Sequence, residues 1–227
     1  MGQLESLDSD EGLARRRHRH WYDRLMMLSD GVFAIAITIL AAEISPPTIP
    51  GGDLATIWAA LTPQLDAYAL SFVVISVFWL AHRRFMAMIL TVDAPVTVLT
   101  LGMLGLVALL PAATRLTHLQ NGSPASMLIY GALVVSIGLS CAAMWGYASL
   151  IANLVSDEVA TVQRWYFFLL MLFTAPLFLV LTALLRNPSP GVIPLALLAL
   201  FVVGWRMRTW INRRLEADAP EADAPEP

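Results

Sequence analysis

The chain has 227 residues, 58% of them hydrophobic and 14% charged, with a formal net charge of −3 and a mean hydropathy of +0.68. A soluble domain of this size needs more polar surface to cover its core, so the composition excludes one and points to a bilayer as solvent. The single cysteine, Cys141, excludes an intrachain disulfide framework and a cysteine-based metal site.

Residues 1–23 run acidic and then basic, through Arg15, Arg16, Arg17 and Arg19, and carry no cleavable-signal pattern. They read as a retained cytoplasmic basic segment, with His18 and His20 placed for contact with anionic membrane lipids. A six-helix membrane domain is expected over 24–212, and a disordered acidic cytoplasmic tail with two EADAP repeats over 213–227.

Within 24–212, apolar windows of membrane-spanning length recur at 25–44, 64–83, 95–114, 127–151, 165–185 and 191–210. Turn chemistry separates several of them: Pro46 and Pro47 with Gly51 and Gly52, then Asn121, Gly122, Ser123 and Pro124, then Pro188, Pro190 and Gly191. All fourteen basic residues are arginine. With the N-terminus inside, only Arg115 and Arg186 fall outside, which predicts six helices with both termini cytoplasmic. Trp21, Trp58, Trp79, Trp165, Trp205 and Trp210 lie near span ends, as interfacial aromatics do.

The first span is chemically unlike the others, because Ser29 and Asp30 interrupt its apolar run. An aspartate about one turn inside a span costs roughly 2.5–3.5 kcal/mol on insertion scales. Arg24 stands six residues away on another face of the helix, so the partner is expected from a second helix, with His82 or Arg83 in the same leaflet. The alternative is that Ser29, Asp30 and Gly31 form a helix N-cap at the membrane surface. Beyond the aspartate, Ile35, Thr38, Ile39 and Ala42 share one face by their i, i+3, i+4, i+7 spacing. That face fits ordinary helix packing, and it also fits a pore lining in which isoleucines close by dewetting and threonines offer oxygen to a cation.

The run from Arg24 through Leu28, Ser29, Asp30, Gly31, Val32, Phe33, Ala34, Ile35, Ala36 and Ile37 to Thr38 resembles the first-helix signature of the transmembrane protein 175 family, R-x-x-x-F-S-D followed by G-V-F-A-I-A-I-T. These are lysosomal and prokaryotic potassium channels. Pro63, Tyr68, Ser71, Phe72, Trp79 and His82 are similar to the family's second helix, and Leu109, Leu110 and Pro111 to its third. Leu28 replaces the family's aromatic, Arg83 stands where many bacterial members have a second histidine, and Gly102 where a polar asparagine is expected.

The resemblance implies an all-α, multi-pass protein of a bacterial inner membrane, assembled as a homotetramer with the first helix lining the pore. It implies potassium-selective conduction, with the constriction at Ile35 and further pore layers at Thr38, Ile39 and Ala42. Arg24, Ser29, Asp30 and His82 would hold helix register and bear on gating. K+ would permeate near Ile35 and Thr38 without a resident metal, a cofactor or a nucleic-acid partner. A secondary cation transporter is the competing reading; it calls for interrupted helices and midplane charges. The sequence carries no Gly-x-Ser-x-Gly or His-Glu-x-x-His motif, so no enzymatic activity is expected.

Overall fold

In the computed structural model the described backbone covers residues 2–45 and 52–184 together with 205, 206 and 209; the side chains of 2–19 and 174–184 lie outside the description. The span expected at 191–210, apart from those three positions, and the tail at 213–227 fall outside the described residues.

Helix α1 runs from Gly2 to Ala42, α2 from Leu54 to Met88, α3 from Ala94 to Ala108, α4 from Leu110 to Leu119, α5 from Pro124 to Gly146 and α6 from Thr161 to Leu184. A π-helical turn, Tyr147–Ile151, extends α5. Four stretches are long and apolar enough to cross a membrane among the described residues: His20–Ala42, Leu54–Met88, Ala94–Leu119 and Pro124–Ile151. Among the described residues the regular elements are all helices, joined by turns and loops, with an isolated antiparallel bridge between Ile89 and Val155.

The helix starts follow from their caps. Asp53, Asp93 and Ser123 each accept a backbone N–H from the residue three positions on, and Pro95 and Pro124 sit in first turns where no N–H is needed. Helix α2 therefore begins ten residues before the expected 64, because Asp53 starts it and Pro63 is carried inside. At 35 residues it is about 50 Å long, well beyond the hydrocarbon thickness. The third expected span divides into α3 and α4, since Pro111 cannot donate to the preceding turn. The expected turn after α4 is present: Asn121 and Gly122 take positive φ, and the Gly122 N–H returns to the Thr117 carbonyl at 2.8 Å.

Two buried clusters hold the helices. One joins Phe33, Ala36 and Leu40 of α1 to Ile75, Met103, Leu110 and Ile137. The other gathers Leu25 with Phe85, Trp145 and Phe167. In the latter, Phe85 stacks on Trp145 at 4.8 Å between ring centroids, and Phe167 meets Trp145 edge-on.

Candidate functional site

Helix α1 divides into two faces. Leu25, Ser29, Phe33, Ala36 and Leu40 recur every three or four residues and are buried against the rest of the chain. Ile35, Thr38, Ile39 and Ala42 lie on the other side and are all exposed, Ile35 at 58% and Ile39 at 45%. Among the described residues no side chain buries this stripe. The Thr38 hydroxyl donates to the Ile35 carbonyl at 2.8 Å. Its hydrogen is thereby held against its own helix, and its lone pairs remain outward.

The motif at the other end of α1 is not an N-cap, because the helix passes through it unbroken. The Ser29 hydroxyl donates to the Leu25 carbonyl at 2.8 Å. Its only hydrogen is thus used, so it accepts from His82 Nε2, 3.1 Å away, and this fixes the imidazole tautomer. Both residues are buried, Ser29 at 0% and His82 at 1% exposure, between the two apolar clusters. His82 Nδ1 then bears a lone pair with no hydrogen-bond partner among the described residues.

Asp30 does not take the partner expected from sequence. Trp79, one turn before His82, donates its indole N–H to Asp30 Oδ1 at 2.8 Å. The Arg83 guanidinium lies over the same indole, 5.3 Å from the ring centroid. Trp79 therefore stands between Asp30 and Arg83, whereas Trp21, Trp58 and Trp165 are exposed. An indole beside a histidine at i, i+3 was the available signal; position near a span end masked it. Arg24 is exposed and lies outside this cluster. Gly102 is exposed on α3, and a Cβ built there meets nothing within 4 Å, so within one subunit it does not close on the Ser29–His82 pair.

The ties between α1 and α2 set an antiparallel register. Tyr22 donates to the Met86 carbonyl, Ser29 meets His82, Asp30 meets Trp79, and beyond the end of α1 the Ser45 backbone meets Gln64. Two of these four ties, Ser29 with His82 and Asp30 with Trp79, come from the motif. Among the described residues no group of three or more His, Cys, Asp or Glu side chains gathers to hold a metal.

A family model described as the endosomal/lysosomal potassium channel TMEM175 matches residues 24–111. A potassium channel of Streptomyces collinus is 32% identical over 145 residues, 60% of this chain and 68% of the relative. A potassium channel of Chamaesiphon minutus is 29% identical over 143 residues, covering 60% and 70% respectively. The endosomal/lysosomal proton channel TMEM175 of Danio rerio is 27% identical over 160 residues, which is 69% of this chain but 30% of that longer protein. The crystal structure of a lysosomal potassium-selective channel TMEM175 homolog from Chamaesiphon minutus superposes with a TM-score of 0.60 at 24% identity, over 88% of this chain and 100% of that one, and so shares its fold.

Proposed function

This chain belongs to the TMEM175 family, and from that premise we propose that it is a subunit of a potassium-selective channel in a bacterial plasma membrane. The family is one of ion channels, and the chain is not an enzyme. Subunits assemble as a homotetramer within the lipid, each with both termini in the cytoplasm. Each contributes the outward face of α1 to a common pore.

One observation carries this reading: the stripe of Ile35, Thr38, Ile39 and Ala42 is left uncovered by a subunit that buries the opposite face of the same helix. A ring of Ile35 side chains closes the pore by excluding water, so that a cation crosses only when the ring widens. Thr38 follows one turn later with outward lone pairs and compensates for part of the hydration that the ion sheds. Arg24, Ser29, Asp30 and His82, together with Trp79, hold the rotation and register that aim this face. Permeant K+ needs no cofactor in this scheme.

Flux from proteoliposomes loaded with K+, Na+ or an organic cation tests the proposal. Selective K+ flux that stays proportional to the gradient is expected. Saturating flux with fixed coupling to a second ion would establish a secondary transporter instead, and no K+ flux at all would defeat both.

A further inference from the structure

Past the end of α1 a second set of contacts holds the helix, and none of its members belongs to the motif at the other end. Glu43 directly follows Ala42, and its Oε2 lies 3.3 Å from Arg115 Nε on α4. Two residues on, the Ser45 N–H donates to Gln64 Oε1 at 2.9 Å, and Gln64 Nε2 donates to the Ser45 carbonyl at 3.0 Å. The Gln64 amide thus satisfies both backbone groups of Ser45, as a neighbouring strand would, just where the helix no longer supplies partners.

Beside these contacts lies a cavity of about 30 Å³, bordered by Glu43, Gln64 and Arg115 together with Leu40, Tyr68 and Thr114. Packing holds α1 as far as the buried Leu40, and the polar contacts hold the residues that follow it. Glu43 lies at i+7 from Ala36 and i+3 from Leu40, so it continues the face of α1 that packs on the rest of the subunit, and it is half-buried. Arg115 draws that carboxylate toward α4.

We propose that Arg115 and Gln64 are positioning residues that set the open fraction of the channel by clamping the end of α1 through Glu43 and Ser45. This rests on the proposed pore role of α1. The Arg115 side chain is 59% exposed and that of Glu43 28%. An ion pair of that exposure contributes little to folding, yet it biases a conformational equilibrium by up to about fivefold. A structural role and a positioning role therefore separate in measurement.

The test is single-channel recording and K+ flux on the reconstituted full chain carrying Glu43→Gln, Arg115→Gln, Gln64→Leu, or the exchange Glu43→Arg with Arg115→Glu, alongside thermal unfolding of each. The three single variants are expected to shift the open fraction in the same direction, by roughly two- to fivefold, with unfolding temperatures close to the parent. The exchanged pair is expected to restore the parental open fraction. Opposite shifts in Glu43→Gln and Arg115→Gln would show that the carboxylate acts directly on passing cations, and would overturn the clamp. Unchanged gating in all variants would overturn it too, as would singles that alter gating with no recovery on exchange. Failure of the pore reading looks different: the parent itself passes no K+.

Discussion

His82 Nε2 donates to Ser29 Oγ across the α1–α2 interface at 3.1 Å, while Ser29 passes its own hydrogen to Leu25. The bond sits between two apolar clusters, so neither group has water as an alternative partner.

Ser29→Ala leaves the imidazole N–H unpaired, and His82→Leu leaves a hydroxyl already bonded to its own helix. The first change should therefore cost more. Interhelical hydrogen bonds in membrane proteins average about 0.6 kcal/mol and reach about 1.7, and burial on both sides places this one toward the upper value. Expected is a loss of about 1–2 kcal/mol in Ser29→Ala, with the Ser29→Ala, His82→Leu double variant recovering part of it. Reversible unfolding in mixed micelles checks this. Equal costs for the two single changes would argue against the assigned tautomer.

Ile35 and Thr38 share the uncovered face, and their substitutions should separate barrier from coordination. Ile35→Asn places amides in a ring that excludes water, and each 1.36 kcal/mol taken from the barrier raises the rate tenfold. Flux through Ile35→Asn should rise by about tenfold or more, with Na+ gaining more than K+. Thr38→Val keeps the shape and removes the oxygen, so K+ flux should fall several-fold while the Ile35 barrier stays in place. Parental flux and selectivity in Ile35→Asn would remove α1 from the pore.

The Asp53 carboxylate begins α2 by accepting from the backbone N–H and the hydroxyl of Thr56. These bonds, the side-chain one foremost, hold its pKa below the ordinary carboxylate value. A depressed folded-state pKa means that the cap contributes fully above the unfolded value near 4 and is lost as pH falls through the lower folded value. Hydrogen exchange at the Thr56 amide should accelerate in that acid window relative to amides in mid-helix. Asp53→Asn caps without titrating and should abolish the acid-dependent component.

Much of this arrangement is legible in the residues, and what is hidden has physical causes. Asp30 is conspicuous because a carboxylate in an apolar run demands a partner, and α1 as the distinctive helix follows from that. The identity of the partner does not follow: His82, Arg83 and Trp79 all lie within one turn, and only the rotation of α2 selects the indole for Asp30 and the imidazole for Ser29. The early start of α2 is obscured by Pro63, which looks like a boundary but removes only one backbone bond. The π-helical turn after α5 leaves no signature, because its residues are ordinary helix and strand formers.

Arg164 is the other residue whose role the sequence conceals, since its partners are mostly backbone. From the first turn of α6 its Nε donates to the Val159 carbonyl at 3.0 Å, one terminal nitrogen to the Ser149 carbonyl and to Asn153 Oδ1, and the other to the Ser156 carbonyl. Its own carbonyl accepts the Trp145 indole N–H at 2.9 Å. One guanidinium thus closes the connection from the π-helical turn to α6, and that same connection pairs with the residues after α2 through Leu90 and Leu154. A lysine has the charge but not the planar fork, so it reaches one or two of these acceptors and leaves the rest unpaired. Arg164→Lys should cost about 2 kcal/mol or more, close to Arg164→Ala. Proteolysis should then cut the 152–160 connection at protease concentrations that leave the parent intact. Full protection in Arg164→Lys would show that charge alone holds the segment, and that the four directed bonds are dispensable.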